Sequence, residues 1–428
     1  MHAMRALDDA PSHPLLPRMS DGELQPEEIS EDDWRTRAEA VIVGGASTGS
    51  KRFATLFGDA QGDMPSHYVR ASGCRLWTAD GRELIDCTMA LGAVALGYAE
   101  AAVTMAVSQA AERGNVAGLS HVLEVEVAER LSDVIPCAER VRFLKSGAEG
   151  VAAAVRIARA HTKRSHVIGC GYFGWLDWWT DGPGITAGAH QDFTAVPFDD
   201  ITALESAAAE AGDTLAAIVL EPVIERLPSN AWIEAARAIC DERGAVLVFD
   251  EMKTGFRLRT GGFQEYSGIT PDLAVFGKAL ANGYPLSAIV GREAVMRAAA
   301  DCWISSTLAG EAIALAAASA VLDWHEKAEV CEGLWAAGEE MMNGVQRAIA
   351  ASGVSGVSVR GIAPMWLLDF EDEDQRTRFG ELAVEAGVLF KRGAYNYASL
   401  AHEESDVGAI ETAASEAFVS LREELADG

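Results

Sequence analysis

Positive charge is scarce in this sequence. Lysine and arginine together number 35 against 64 aspartate and glutamate residues, which gives a formal net charge of -29. A surface of that sign repels nucleic-acid phosphates and anionic bilayers. We therefore expect no nucleic-acid groove and no membrane-binding face. The acidity is spread along the chain, and we interpret it as a contribution to solubility.

Cysteine is also sparse, at seven residues, and no two of them form a CxxC pair. No set of cysteine and histidine has the spacing of zinc ligands, so the sequence predicts neither a disulfide scaffold nor a metal site. Apolar runs of transmembrane length are missing as well. The first residues are polar and lack the apolar core of a signal peptide. We therefore expect a cytoplasmic protein with reduced thiols.

What the sequence does contain is a series of short apolar segments that alternate with helical ones. In parallel sheets covered by helices on both faces, strands are continuous apolar runs of this kind. The alternation predicts an α/β fold with a mostly parallel sheet. The predicted strands lie at 141–144, 166–170, 216–220, 245–250, 273–276 and 287–290.

The pattern differs on either side of this region. The N-terminus is a polar segment punctuated by proline, and two short strands are predicted around the turn "ADGR" at 79–82. The last hundred residues have the pattern of a smaller α+β unit. We divide the chain into an N-terminal arm (1–35), the N-terminal part of a small domain (36–100), a large domain (101–325) and the C-terminal part of the small domain (326–428).

One chemical motif is the strand, turn and helix in "VRFLKSGAEG". The backbone N–H groups of Gly147 and Ala148 would lie in the first turn of a helix, where they can bind phosphate. The alternative is that Ser146 simply caps the helix. The motif is neither a Walker loop nor a dinucleotide-binding fingerprint, because the glycine spacing of both is missing.

Two further motifs place ionisable side chains at strand ends. Asp250 ends the apolar run in "AVLVFDEMKTGFR", where ligands bind in open α/β sheets, and a protonated ring nitrogen would be a suitable partner. Lys278 follows the apolar run in "DLAVFGKALANGYP", where desolvation can yield a neutral amine that condenses with an aldehyde. The alternatives are a capping aspartate and a lysine whose ammonium extends to solvent.

Together, these three motifs match the needs of pyridoxal 5′-phosphate, which requires a phosphate cradle, a carboxylate for its pyridinium N–H and a Schiff-base lysine. From about residue 40 onward the sequence resembles the class III (subgroup II) aminotransferases of PLP fold type I, and within them the glutamate-1-semialdehyde 2,1-aminomutases. The motifs that carry this resemblance are "DGRELIDC", "LEVEVAERL", "VRFLKSGAEG", "GYFGW", "VLEPV", "VFDEMKTGFR", "FGKALANGYPLSAIVGR" and "SSTLAGE".

The resemblance implies the fold and the role of each cofactor residue. The large, cofactor-binding domain would contain a mostly parallel seven-stranded sheet, and the chain's two ends would form the smaller α+β domain. Lys278 would form the Schiff base and act as acid and base, and Asp250 would keep the pyridine nitrogen protonated. Tyr172 and Met252 would pack on the two faces of the ring.

The resemblance also implies how the phosphate is held. Ser146, Gly147 and Ala148 would bind it, and Thr307 would reach the phosphate of a neighbouring subunit, which implies a homodimer with shared active sites. Phe173 and Glu221 would lie beside the cofactor.

The substrate side departs from the family pattern. Phe173 replaces a histidine, "AGEA" at 309–312 replaces "SGNP", and a Ser-Trp-Gly segment is here the tripeptide at 90–92. Lys51 or Arg52 remains to bind a substrate carboxylate, and Arg226 occupies a position where many relatives carry glutamate. Trp175 belongs to the aromatic cluster "GYFGWLDWW", which would line a substrate pocket or pack in a core or subunit interface.

The sequence thus predicts an aminotransferase of specialised metabolism. It would move an amino group from a small-molecule donor, L-glutamate, to a carbonyl acceptor that carries a carboxylate and that could be cyclic. The two half-reactions would follow a ping-pong scheme. The alternatives are an aminomutase, a PLP epimerase and a non-catalytic binding protein. Retention of Lys278 and Asp250 together argues against the last of these.

Overall fold

The computed structural model describes residues 31–60 and 63–427. Most of the predicted N-terminal arm, residues 1–30, lies outside the described residues. The N-terminal part consists of α1 (Glu31–Val41), α2 (Phe53–Phe57), β1 (Tyr68–Ser72), β2 (Arg75–Thr78), β3 (Glu83–Asp86), the short segment α3 (Met89–Gly92), α4 (Ala101–Arg113) and α5 (Val122–Val134).

Strands and helices then alternate through the middle of the chain. The elements of this part are β4 (Arg140–Leu144), α6 (Gly147–Thr162), β5 (His166–Cys170), β6 (Phe193–Ala195), α7 (Ile201–Ala211), β7 (Leu215–Leu220), α8 (Asn230–Arg243), β8 (Val246–Asp250), α9 (Phe263–Ser267), β9 (Leu273–Phe276), β10 (Ser287–Gly291), α10 (Glu293–Met296) and α11 (Ala312–Lys327).

The C-terminal part begins with a long helix. Its elements are α12 (Val330–Ser352), β11 (Val357–Ile362), β12 (Met365–Phe370), α13 (Glu373–Glu385), β13 (Val388–Leu389), β14 (Asn396–Tyr397) and α14 (Glu404–Asp427). Among the described residues, no helix combines the length and the apolar character that crossing a bilayer requires.

The central sheet has seven strands in the order β4-β10-β9-β8-β7-β5-β6. The five strands from β9 to β6 run parallel to one another, whereas β10 runs antiparallel to both β4 and β9. The predicted α/β fold with a mostly parallel sheet is confirmed, and every strand predicted for this region is present. The sequence analysis missed β6, which has only three residues, none of them buried.

The central strands are apolar because helices cover both faces of the sheet. All residues of β7, β8 and β9 are buried. Burial of each large aliphatic side chain contributes about 1.5–3 kcal/mol, so this sheet is the stable foundation of the site. One core cluster lies on the face that includes α5, α8 and α11, and a second lies on the face that carries α6.

Two smaller sheets complete the structure. One has the order β1-β2-β3-β13 and the other has the order β11-β12-β14. The turn predicted at 79–82 does connect two strands, but the segment before it contains a third. Gly73 adopts a φ of +59°, and a two-residue turn there separates β1 from β2. β13 pairs in parallel with β3, so the two ends of the chain share a sheet.

Candidate active site

The candidate site lies at the carboxyl ends of β5, β7, β8 and β9. In the sheet register Cys170 lies opposite Leu220 and Leu220 opposite Phe249. The next residues, Gly171, Glu221 and Asp250, therefore lie side by side, and the last of them pairs with Val275 on β9. The turn that carries Lys278 follows directly after β9. This edge is where ligands bind in open α/β sheets.

Asp250 is a buried carboxylate on the last residue of β8. Its Oδ1 accepts a hydrogen bond from the backbone N–H of Met252 at 3.0 Å. Burial raises the pKa of Asp250, and the neighbouring carboxylate of Glu221 raises it further. A buried acid of this kind is suited to a partner that carries a proton, such as a pyridinium N–H.

Lys278 begins the short 3₁₀ turn Lys278–Ala281 with a φ of +46°. A residue other than glycine in this left-handed region costs about 1–2 kcal/mol, and such positions concentrate at functional sites. Burial lowers the pKa of Lys278, and the ammonium of Lys253 lowers it further. The neutral amine that results is the nucleophilic form of lysine.

Met252 lies between the turn that precedes α6 and the turn that carries Lys278. A Cβ atom added at Gly147 would lie 2.7 Å from its Sδ, and one added at Gly277 would lie 2.6 Å from its Cε. Both glycines therefore make room for the thioether. The structure places Met252 in contact with both turns of the site, and its packing on a cofactor ring stays a prediction.

The turn before α6 contains the helix cap that was one of the two functions considered for it. The Ser146 side chain accepts a hydrogen bond from the Glu149 N–H, and Glu149 Oε2 accepts one from the Ser146 N–H at 2.9 Å. This capping box still leaves the N–H groups of Gly147 and Ala148 in the first helical turn, where no helix carbonyl can accept them. They are suited to bind phosphate.

A lysine that the sequence analysis did not single out supports this turn. Lys145 Nζ lies 2.9 Å from Glu311 Oε1 and 3.0 Å from the carbonyl oxygen of Pro285. Glu311 also caps α11, accepting hydrogen bonds from two N–H groups of its first turn. The departure "AGEA" thus has a structural explanation, because its glutamate links α11 to the turn before α6.

Glu221 and Lys253 form a buried ion pair beside Asp250. The other carboxylate oxygen of Glu221 accepts a hydrogen bond from the Tyr172 N–H at 3.1 Å. The Lys253 ammonium lies 5.0 Å from the centre of the Tyr395 ring. Lys253 was missed from the sequence, although it stands only three residues beyond Asp250 in the same motif.

The aromatic cluster at 172–179 divides between surface and core. Tyr172 and Trp175 are exposed, Trp175 to 75%. Phe173 is 1% exposed and stacks on Trp178 with the ring centroids 5.7 Å apart. Its ring is enclosed in the core that carries α6, and its placement beside the cofactor stays a prediction.

The residues predicted to bind substrate have different surroundings. Arg226 is engaged with Asp199 in an ion pair. Lys51 ends the 3₁₀ turn Gly49–Lys51 and is exposed. Arg52 packs against Gly44 and lines a cavity of about 600 Å³, and neither Asp250 nor Lys278 is among the residues that line this cavity. Their contact with substrate stays a prediction.

Thr307 lies exposed in the loop before α11, so its reach into a neighbouring subunit also stays a prediction. Among the described residues, no group of three or more His, Cys, Asp or Glu side chains could hold a metal ion. The residues at the carboxyl edge fit pyridoxal phosphate by their chemistry, since free helical amides, a buried acid and a lysine with a lowered pKa lie together there.

Comparison with known proteins agrees with this geometry. The family model of the class-III aminotransferases matches residues 57–174 and 185–401. The chain is 32% identical to the glutamate-1-semialdehyde 2,1-aminomutase of Laribacter hongkongensis over 90% of this chain and 98% of that protein. It is 33% identical to the enzyme of the same name from Syntrophobacter fumaroxidans, over 86% and 93% of the two chains.

Solved structures share the fold. The FumI protein of Sphingopyxis sp. MTA144, in its PLP internal aldimine form, superimposes with a TM-score of 0.87 at 28% identity, covering 92% of this chain and 97% of that one. An omega-transaminase from Sphaerobacter thermophilus has a TM-score of 0.82 at 23% identity, covering 92% and 98%. The chain belongs to the class-III aminotransferases of fold type I, whose cofactor is pyridoxal 5′-phosphate.

Proposed function

We propose that the protein is an aminotransferase that moves an amino group from L-glutamate to a keto or aldehyde acceptor. The observation that carries this proposal is the placement of Lys278 and Asp250 at the ends of adjacent strands, where burial favours a neutral amine on Lys278 and leaves Asp250 to be stabilised as a carboxylate by a partner that carries a proton. An amine of this kind can hold an aldehyde and then exchange it for a substrate amino group.

Asp250, the turn at Gly147 and Lys278 would have separate roles in cofactor binding and proton transfer. Pyridoxal phosphate, when bound, supplies an aldehyde for the amino group and a ring that withdraws electrons from the substrate. Asp250 would accept the N–H of the ring nitrogen, and the turn at Gly147 would bind the phosphate. Lys278 would hold the aldehyde carbon through Nζ and, once released, would carry a proton between the two carbon atoms that exchange the amino group.

The acceptor would carry a carboxylate, and a cyclic keto acid of specialised metabolism is our leading candidate. The altered substrate side supports this choice, since the tripeptide at 90–92 lacks the polar and aromatic groups of the aminomutase pattern. Lys51 or Arg52 would bind the carboxylate once the N-terminal segment approaches the site. Trp175 and Arg226 would form the outer wall of the pocket.

We also propose a homodimer in which Thr307 of each chain completes the other's phosphate site. Exposed apolar side chains lie around this loop, among them Leu119 at 87% and Trp303 at 86% exposed. Asn115, in the connection between α4 and α5, accepts hydrogen bonds from two N–H groups of α11 and so holds these segments together. Soluble monomers rarely expose such a face.

Intramolecular amino transfer, the reaction of an aminomutase, is the second candidate. It is favoured by the relatives of that name, which match at 32–34% identity. An epimerase would use the same lysine and carboxylate. These activities differ in whether a free keto acid leaves the enzyme.

A single-turnover experiment separates the candidates. Addition of L-glutamate to the cofactor-loaded enzyme should release one equivalent of 2-oxoglutarate per site and convert the cofactor to pyridoxamine phosphate. Conversion of glutamate-1-semialdehyde without any free keto acid would instead establish the aminomutase. Lys278→Ala should lose both the borohydride-trapped cofactor and turnover. Lys391→Met, which changes another buried lysine, should retain both.

A further inference from the structure

The loop after β8 brings a second lysine into the site. Lys253 is buried together with Glu221, and its ammonium lies over the face of Tyr395. Burial lowers the pKa of Lys253, but the carboxylate of Glu221 and the hydroxyls of Tyr397 and Tyr395 raise it above its ordinary value. This lysine is therefore held as a cation, which a Schiff-base lysine cannot be.

The sheet register places Glu221 beside Asp250, Asp250 pairs with Val275 on the strand that leads to Lys278, and Lys253 contacts Glu221, so these four groups form one cluster. Within it the ion pair acts differently on its two ionisable neighbours. Among the surrounding charges, Lys253 has the strongest influence on Lys278, and it disfavours the ammonium form. Glu221 has the strongest influence on Asp250, and it disfavours the carboxylate form. The pair thus opposes the charged form of both neighbours, although its own net charge is zero.

This opposition matters because Asp250 and Lys278 stand at the ends of adjacent strands. Left to themselves, a carboxylate and an ammonium so placed would pair with each other. Such a pair would hold Lys278 in its protonated form, which cannot attack an aldehyde, and would occupy the acid that the ring nitrogen needs.

We propose that the Glu221–Lys253 ion pair is a positioning pair that prevents a competing ion pair between Asp250 and Lys278 and so presents Lys278 as a neutral amine. The inference rests on the roles assigned to Lys278 and Asp250 under the proposed function. It adds a function for Lys253, which the sequence analysis did not single out.

The groups that face Lys278 come from three places. Asp250 lies at the end of β8, Lys253 and Arg257 lie in the loop after it, and Glu221 lies after β7. Arg257 also disfavours the ammonium form of Lys278. Its guanidinium donates hydrogen bonds to the carbonyl oxygens of Gly92 and Ala398, and none of the variants in the following test changes it.

The test follows covalent attachment of pyridoxal phosphate to the full-length, cofactor-depleted protein as a function of pH. Attached cofactor is trapped with borohydride and located by mass spectrometry. In Lys253→Met the loss of the cation and the unpaired Glu221 both favour the ammonium. The apparent pKa of attachment should therefore rise by roughly one unit, with about a tenfold slower reaction at pH 7.

Glu221→Gln should move the pH profile in the opposite direction, because it leaves the cation of Lys253 uncompensated. The double variant should lie between the two single variants. Lys253→Arg keeps the charge and should retain the original profile. Lys391→Met removes a buried lysine that donates to the Ser50 carbonyl and is not among the charges that act on Lys278. It should leave the pH profile of cofactor attachment unchanged.

Binding of pyridoxamine phosphate, which needs no neutral lysine, reports whether each variant retains its site. An unchanged pH profile in Lys253→Met that still binds pyridoxamine phosphate would overturn the inference. Shifts of Lys253→Met and Glu221→Gln in the same direction would overturn it too. Attachment to a residue other than Lys278 in the unaltered protein would instead refute the proposed function itself.

Discussion

At the scale of single residues, the site depends on two positions that carry no side chain. Gly147 and Gly277 lie on opposite sides of Met252, and each leaves space for its thioether. Neither glycine has a positive φ, and that of Gly277 is -176°, so the backbone angle does not require glycine at either position. Space alone therefore explains why a methyl group would be harmful there.

This arrangement predicts the effect of Gly277→Ala. The new methyl group would collide with Met252 and approach the Leu286 carbonyl oxygen at 3.1 Å, and so would displace the turn that carries Lys278. We expect at least a tenfold loss of pyridoxal phosphate affinity, about 1.4 kcal/mol, measured by equilibrium titration. Because Met252 is itself predicted to pack on the ring, Met252→Ala alone is the reference, and adding Gly277→Ala to it should cost less affinity than Gly277→Ala costs in the unaltered chain. Equal losses in the two backgrounds would show that Met252 is not the obstacle.

Buried histidine predicts how stability depends on pH. His402 is buried, its Nδ1 accepts a hydrogen bond from the Ser399 N–H at 3.1 Å, and burial lowers its pKa from 6.5 to about 4. The unfolded chain binds the extra proton below about pH 6.5, so stability is lost as the pH falls from there towards 4. The loss should reach roughly 2–3 kcal/mol.

Urea unfolding at pH 7 and at pH 5 measures this dependence. His402→Asn, which retains an acceptor for the Ser399 N–H, should unfold with a smaller difference between the two pH values. An equal difference in both proteins would assign the acid sensitivity to other groups, of which His325 is one with the same direction of shift.

At the scale of elements, the left-handed segment α3 is held by a buried arginine. Ala90 and Leu91 both have positive φ, at 49° and 60°. Arg257 donates to the carbonyl oxygens of Gly92 at 2.7 Å and Ala398 at 3.0 Å. The guanidinium thus ties a strained turn on the substrate side to the C-terminal part of the chain.

Arg257→Met should therefore destabilise the protein. It leaves buried carbonyl oxygens without a donor, each at a cost of about 1–3 kcal/mol, so we expect a loss of roughly 3 kcal/mol in the free energy of unfolding. Arg259→Met is the matched control, because Arg259 forms an exposed ion pair with Glu332 that contributes at most about 1 kcal/mol. Similar losses in both variants would contradict this account of α3.

Elements were predictable where local signals were strong. The buried strands were predicted because each is a short, continuous run of apolar residues. β6 was missed because its three residues pair on the outer edge of the sheet without being buried. The helix cap at Ser146 was foreseen as an alternative, since Ser followed three residues later by Glu is a local pattern.

The site was predictable only in part, because local sequence signals reveal some of its residues and not others. Asp250 ends an apolar strand and Lys278 closely follows one, so the local sequence predicts the positions of both. The partnerships of Lys145 with Glu311 and of Lys253 with Glu221 join distant parts of the sequence, and spacing within one chain does not reveal them. The burial of the Phe173 ring in the core that carries α6 was not predictable, because a buried aromatic ring and a cofactor-facing one can both follow a strand end.

At the scale of the whole molecule, the exposed apolar side chains around Thr307 predict that two copies of the chain assemble into a homodimer. Leu119→Asp or Trp303→Asp would place a charge in the proposed subunit interface, and we expect dissociation into monomers in analytical ultracentrifugation. Because Thr307 would then be withdrawn from the partner's site, cofactor affinity should fall at least tenfold. A variant that becomes monomeric yet binds pyridoxal phosphate normally would refute the shared site.

A charge introduced on another exposed face serves as the control for that experiment. Tyr266 is exposed on α9, a different element from the loop before α11, and Tyr266→Asp should leave the sedimentation behaviour unchanged. If it also dissociated the protein, the effect of the other substitutions would reflect general destabilisation.

The pairing of β13 with β3 has a consequence for how the chain is made. Val388 and Ile85 become neighbours although about 300 of the 428 residues are synthesised between them. The first sheet therefore keeps an open edge on the ribosome until translation is nearly finished, and such long-range pairings form slowly. A nascent chain halted before β13 would expose this edge to other chains, so chaperone demand should be greatest late in synthesis.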